Sequence, residues 1–326
     1  MKPEEYPTTD TSRPVVGIGA CLNGQPVRYD GSQKRAHEAL ERMKQAFALR
    51  PFCPEVGIGM GVPRPPIHLV GSDADQVRAL DVATHQRDYT DALDGFARDV
   101  LSRAPELCGY ILVKNSPSCG YARVKRYNEK GNPVGADSQG IFAAALQRAA
   151  PLLPLEDDGR LHDPGLRDSF IARVFAYHDW HQCCASGLNA GALIAFYSRY
   201  KYQVMAHSVS HYREIGRLLA NAGKRDISAL ASEFISLLMD ALSRRATVRS
   251  HTNVLFHISG YLKRELGDAE RQRLKALIDD YRQGLIPLVV PITMLRHHFA
   301  NHPDRYIAGQ TYLQPYPDEL GLRNHL

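Results

Sequence analysis

No apolar run in this 326-residue sequence approaches the roughly 20 residues a helix needs to cross a bilayer. The first thirteen residues carry three acids and no apolar segment, so no secretory signal is expected there and the cytoplasm is the expected compartment. Six cysteines in a chain of this length are too few for a disulfide scaffold, and without export they are expected as free thiols. Tryptophan occurs once, at Trp180. There is no repeat of fixed period and no low-complexity tract. The C-x-x-C spacing of zinc ribbons is absent, and so is the compact cysteine spacing of ferredoxins and of radical enzymes that use S-adenosylmethionine.

What is present is an ordinary globular composition, 44% hydrophobic and 23% charged, with length enough for two domains. The net charge of +5 is unevenly placed. From Leu188 onward there are 18 Lys+Arg against 12 Asp+Glu, while the residues before it hold 22 against 23. Eight of the 14 histidines also lie in that second part. A basic, Tyr-rich module beside a near-neutral one points to a polyanionic partner; a solvated helical surface is the competing reading.

Residues 14–156 alternate strand and helix patterns. Strands are predicted at Val15–Ala20, ending at Phe52, at Pro66–Val70, at Gly109–Val113 and at Leu152–Leu155. Helices are predicted over Ser32–Leu49, where Ala36, Leu40, Met43 and Phe47 follow helical spacing, over Asp73–Ala104, and over Gly140–Ala149. Strands separated by helices predict parallel crossovers and a small doubly wound α/β sheet, Rossmann-like in architecture. Asp163-Pro164 starts a connector helix with Phe170, Val174, Tyr177 and Trp180 on its buried stripe. From Ala192 the periodicity is almost purely helical. The predicted organisation is a loose tail at 1–13, an α/β domain at 14–186 and an all-helical domain at 187–326.

Three cysteines each end a short apolar run and open a turn: Ala20-Cys21-Leu22, Phe52-Cys53-Pro54 and Ser118-Cys119-Gly120. Open α/β sheets place their sites at the carboxyl ends of strands, so three distant thiols can meet there. No fourth cysteine or histidine sits in a matching turn, which disfavours a closed zinc site. Three thiolates suit a [4Fe-4S] cluster with one iron left open; separate buried thiols are the alternative. Glu55 lies two residues beyond Cys53 as a candidate general acid or base, or a plain turn carboxylate. Ser116 and Ser118 offer hydroxyls beside Cys119, although Ser, Pro and Gly are also ordinary turn residues. Arg28, Tyr29 and Arg64 lie near the same end, where they can clamp a substrate or serve structural salt bridges. Cys108, Cys183 and Cys184 have no partner set and read as structural.

The stretches Ala20 to Gly31 (A-C-L-x-G-x-x-V-R-Y-D-G), Phe52 to Pro66 (F-C-P-E-V-x-x-G-M-x-x-P-R-x-P) and Lys114 to Gly120 (K-x-S-P-S-C-G) resemble the TudS-type thiouracil desulfidases over residues 14–155. Gly59-Met60 departs mildly from the Gly-Leu of many members. The resemblance implies a [4Fe-4S] cluster on Cys21, Cys53 and Cys119, a catalytic Glu55, and a catalytic serine, Ser116 before Ser118. From about 190, Phe196 to Tyr202, Met205 to Ser208, Asn253 to Tyr261, Tyr281-Arg282 and Gln314 to Pro317 resemble the YbgA-type helical domain. The combination is similar to bacterial tRNA desulfidases of the RudS type, which remove sulfur from 4-thiouridine. That likeness implies tRNA as partner, with Arg199, Lys201, Arg213, Arg217, Lys263 and Arg264 as phosphate contacts and Tyr197, Tyr200 and Tyr202 as stacking candidates. His207 and His211 lie one helical turn apart but have no third ligand in view. A desulfidase of free 2-thiouracil, a non-catalytic iron–sulfur protein that binds nucleic acid, and thiol redox chemistry are the competing classes.

Overall fold

The structure, a computed structural model, describes residues 13–34 and 37–326. The expected loose tail lies outside the described residues except for Arg13, and so does Ala36. The chain divides into two compact units, Met1–His162 and Asp163–Leu326.

The first unit contains β1 (Val15–Gly19), α1 (Glu38–Gln45), β2 (Ala48–Phe52), the short α2 (Pro54–Gly57), β3 (Ile67–Val70), β4 (Arg78–Asp81), α3 (Thr90–Arg103), β5 (Leu107–Leu112), β6 (Val124–Tyr127), β7 (Pro133–Ser138), α4 (Ile141–Ala149) and β8 (Leu155–Asp157). Four strands form a parallel sheet in the order β2-β1-β5-β8, the expected doubly wound class. Every residue of β1 and β5 is buried, as parallel strands covered on both faces require. The chain runs outward to β2 on one side of β1 and to β5 and β8 on the other, so β1 and β5 flank the topological switch point.

Several boundaries differ from the sequence reading. The first helix begins at Glu38, not Ser32, because the His37 side chain accepts the Leu40 N–H and caps it. The strand expected to end at Phe52 is present and begins at Ala48, inside the predicted helix; its Gly19↔Phe52 and Val15↔Ala48 pairings fix its register on β1. Asp73–Ala104 is not one long helix: β4 comes first, then a turn in which Asp81 accepts the Thr84 and Arg87 N–H groups and His85 takes a φ of 57°. The helix proper starts only at Thr90. A second four-stranded sheet, β4-β3-β6-β7, was not anticipated. It pairs β3 antiparallel with β4 and parallel with β6, and closes with the β6–β7 hairpin.

The second unit is helical: α5 (Pro164–Ala185), α6 (Ala190–His207), α7 (Val209–Leu219), α8 (Ile227–Ser243), α9 (Val248–Ser259), α10 (Asp268–Arg282), α11 (Val289–Asn301) and the short α12 (Arg305–Ala308). Asn189, Ser208, Asp226, Thr247 and Asp304 cap five of these through their side chains. The connector helix α5 falls in this unit rather than in the α/β domain, since its Trp180 packs on Phe196 of α6 and Phe234 of α8. The C-terminal tail is pinned by Tyr312, fully buried, and by Tyr316, whose hydroxyl donates to Asp168 on α5. Arg323 lies buried against both of these rings. No helix among the described residues is long and apolar enough to cross a membrane.

Candidate active site

Adjacent parallel strands β2, β1 and β5 end at one edge of the sheet, and each delivers a cysteine there. Cys21 sits in the 3-10 turn Ala20–Asn23 directly after β1. Cys53 follows β2 and caps α2, with Pro54 at the first helical position. Cys119 lies in the loop after β5, whose fold is set by Asn115 at a φ of 63° and by the Gly120 N–H donating to the Ser116 carbonyl at 2.8 Å. The first residues of α4 hold this loop from behind, with the Ile141 N–H on the Pro117 carbonyl and the Ala143 N–H on that of Ser118. The three thiols line one cavity of about 310 Å³.

Burial raises the pKa of all three thiols, and nearby anions raise it further: Cys53 acts on Cys21, Glu55 on Cys53, and Cys53, Glu55 and Cys21 on Cys119. Three thiolates are therefore expensive at this edge without an added positive centre, which is what a metal cluster supplies. The wall leans the same way. Among the described lining residues there are four cations, Arg28, Lys34, Arg64 and Lys114, and one carboxylate, Glu55. Among the described residues no three His, Cys, Asp or Glu side chains stand close enough to hold a single metal ion. Three thiols on one cavity are the donor type that iron–sulfur clusters use.

Glu55 is held from two sides. Its Oε2 accepts from Arg64 Nε at 2.7 Å and its Oε1 from the Ser118 hydroxyl at 2.5 Å. Arg64, with a side chain only 3% exposed, also donates to the carbonyls of Gly61 at 3.0 Å and Val27 at 2.9 Å. Its backbone N–H donates to the Tyr29 carbonyl, tying the Arg28–Tyr29 turn to the same corner. The two serines divide their work. Ser116 lines the cavity and its Oγ accepts the Cys119 N–H at 3.0 Å, whereas Ser118 is fully buried and turned to Glu55. Arg28 donates to Ser32 at 3.1 Å and lies near the half-exposed Tyr29 ring.

The sequence reading passed over Lys34, Lys114, Asn115 and Asp158. Asp158, just past β8, accepts from Lys34 Nζ at 2.9 Å and from the Lys114 N–H at 2.8 Å, joining the Cys21 and Cys119 segments. Lys114 and Asn115 both line the cavity. Their signal was available, because Lys-Asn directly follows the Tyr110–Val113 apolar run.

In the helical unit, Arg199, Arg213, Arg217, Lys263 and Arg264 are exposed and Lys201 is half-buried. Arg199 is engaged by Asp179 at 2.9 Å. Tyr197, Tyr200 and Tyr202 are all buried core residues and cannot serve as stacking platforms. Tyr200 donates to Asp179 at 2.8 Å and Tyr197 to the Tyr212 carbonyl at 2.9 Å. His207 contacts the Arg244 carbonyl while His211 contacts Ser208 and Asp240, so the pair does not converge.

A family model described as 2-thiouracil desulfurase matches residues 16–158, and one described as a protein of unknown function, DUF1722, matches residues 201–317. The uncharacterised protein YbgA of Escherichia coli (strain K12) is 37% identical over 158 residues, covering 48% of this chain and 94% of that protein. The uncharacterised protein YbbK of Bacillus subtilis (strain 168) is 29% identical over 140 residues, covering 41% of this chain and 91% of that protein. Among solved structures, the [4Fe-4S]-dependent thiouracil desulfidase TudS is 28% identical at a TM-score of 0.38, covering 46% of this chain and 94% of its own. The chain therefore belongs to the YbgA family through its helical unit and joins that unit to a 2-thiouracil desulfurase domain.

Proposed function

We propose that the protein is a tRNA desulfidase that replaces the sulfur of 4-thiouridine with oxygen, acting in the reducing cytoplasm. The observation that carries this reading is the convergence of Cys21, Cys53 and Cys119 on one cavity beside a fixed carboxylate, Glu55. Cys21, Cys53 and Cys119 carry no disulfide, as such chemistry needs. The reaction is a hydrolysis: a water oxygen bonds to the ring carbon, the carbon–sulfur bond breaks, and sulfur leaves as hydrogen sulfide with no net electron transfer. Cys21, Cys53 and Cys119 would hold a [4Fe-4S] cluster, which when bound supplies an open iron as a sulfur-seeking Lewis acid.

The residues of the chain do the rest. Glu55 takes a proton from the attacking water. Arg64 and Ser118 hold both oxygens of that carboxylate, so its orientation is settled before substrate arrives. Ser116 faces the cavity and orients the base or the water. Lys114, Arg28 and Tyr29 border the opening, where they contact the thiolated base or its phosphate. The helical unit, with its surplus of cations, binds the tRNA through phosphates. A thiolated base within a folded tRNA must leave its stack to enter a cavity of this kind.

A second reading, desulfuration of the free base 2-thiouracil, is favoured by the cavity volume of about 310 Å³, at the small end of ligand sites. Mass analysis of nucleosides separates the two. tRNA treated with anaerobically reconstituted protein should lose 4-thiouridine and gain uridine, and Glu55→Ala should abolish the change. An iron-loaded protein that leaves the thionucleoside content of tRNA unchanged overturns the first reading.

A further inference from the structure

A hollow of about 510 Å³ opens in the helical unit between α6, α7, the turn Gly260–Leu262 and α12. Its wall is aromatic and its rim cationic. Tyr261 and Tyr306 lie stacked, centroids 5.8 Å apart and planes 27° apart. Tyr212 faces the hollow from α7, with Lys201 Nζ 5.7 Å from its ring centroid. Arg213 stands exposed on the same rim. Tyr261 is 42% exposed. Its hydroxyl is tied back to that of Tyr202 at 3.3 Å, and Tyr306 is bonded to Ser198. The polar ends are thus occupied, and the ring faces are what this site offers. Arg199, by contrast, is neutralised by Asp179, while no carboxylate among the described residues pairs with Lys201 or Arg213.

Charge placement agrees. The helical unit carries 20 Lys+Arg against 15 Asp+Glu, and the α/β unit 20 against 20, so the entire net +5 belongs to the unit with this hollow. Aromatic faces flanked by unpaired cations are what an unstacked nucleotide needs: any base has a π-face to lay on a tyrosine, and its phosphates take the cations. The volume is ample for one nucleotide.

We propose that this hollow is a nucleotide-stacking site that holds one unpaired base of single-stranded RNA on Tyr261 and Tyr306, with its flanking phosphates on Lys201 and Arg213. This rests on the reading of tRNA as partner and gives it a place on the helical unit; Tyr197 borders the same hollow but is buried, so the exposed face is that of Tyr261.

The test uses the full chain and a ten-nucleotide RNA carrying 5-bromouridine. Ultraviolet cross-linking of the wild-type protein should place the adduct on Tyr261 or Tyr306; adducts confined to other segments overturn the proposal. Tyr261→Ala should weaken binding about ten-fold, and Tyr261→Phe should bind as wild type, since only the ring face is used. Lys201→Gln should reduce the slope of log affinity against log salt by about 1. Iron content after reconstitution should be unaltered in all three variants. Unchanged RNA affinity in Tyr261→Ala sinks the stacking site alone if tRNA is still desulfurated. A wild-type protein that binds neither the oligomer nor tRNA sinks the tRNA reading together with it.

Discussion

Arg64 grips Glu55 through Nε at 2.7 Å while its other two nitrogens are spent on the carbonyls of Gly61 and Val27. A guanidinium held at three points cannot swing, so the carboxylate it holds cannot swing either. Arg64 is itself pinned on either side by proline, with Val62-Pro63 in the cis form and Pro65 following. The sequence leaves Arg64 open between a substrate clamp and a structural salt bridge; the geometry gives it a salt bridge to Glu55.

Arg64→Lys should therefore behave almost as badly as Arg64→Ala. A lysine has one nitrogen and no planar fork, and cannot satisfy three acceptors spread around the site. Both variants should lower kcat by about 10²-fold, the usual consequence of misplacing a reacting group by about an ångström. Iron content after reconstitution should stay at the wild-type level in Arg64→Lys, which keeps a positive charge beside Cys53. Steady-state kinetics on tRNA containing 4-thiouridine, beside iron assays, checks this; a lysine variant with wild-type kcat refutes the positioning role.

The cysteines should separate into two classes. Cys108 is buried on β5 with its thiol donating to the Glu106 carbonyl at 3.4 Å, and burial pushes its pKa up to about 12, so it remains an inert thiol. Cys108→Ala should bind iron fully and lose about 1 kcal/mol of stability. Cys21→Ala, Cys53→Ala and Cys119→Ala should each lose most of the iron and the associated visible absorbance. Iron content that survives removal of any one of these three would show that thiol is not a ligand.

How much of this was legible beforehand follows from where the information resides. The strand Val15–Gly19 and its cysteine were readable because a parallel core strand is apolar on both faces and a turn must follow it. The second sheet was not, because β6 and β7 carry Lys125, Asp137 and other exposed polar residues and show almost no apolar alternation. The Glu55–Ser118 contact spans 63 positions and depends on which strands neighbour one another, which no local pattern encodes. The spacing of the α6 tyrosines predicts at least one in the core, and the structure buries all three. Three in six residues cover nearly every side of a helix, and only the packing of α5, α7, α8 and α9 around it decides that all are buried.

Gly140 is the hinge of fit between α4 and the Cys119 loop. A Cβ there would lie 2.5 Å from the Ser118 carbonyl oxygen and 2.7 Å from the Gly120 nitrogen, both backbone atoms that cannot rotate away. Its φ of −63° is open to any residue, so the restriction is one of packing alone. Gly140→Ala should push the loop outward, cost about 1–3 kcal/mol and reduce cluster occupancy. Gly95→Ala on α3, where the nearest atom lies 4.0 Å away at the end of Arg98, should be neutral or slightly stabilising and serves as the control. Equal iron content in both variants counts against this account.

The helical unit should weaken as pH falls below 6.5. His251 lies buried beneath the tail with its Nδ1 3.0 Å from the Tyr312 hydroxyl. Burial first, then the charges of Arg323 and His207, hold its pKa well below the ordinary histidine value. The folded protein therefore keeps this imidazole neutral at pH values where the unfolded chain has already bound a proton. The stability it confers is complete above about pH 6.5 and drains away as pH drops from there toward the folded-state value. One such proton makes stability fall by up to about 1.4 kcal/mol per pH unit. Trp180, the single tryptophan, lies in this unit, so its fluorescence follows the unfolding of the helices. Urea titrations followed by that signal between pH 5 and 6.5 should give a shallower pH slope for His251→Gln than for the wild type. Parallel slopes would mean that His251 is protonated alike in the folded and unfolded chain.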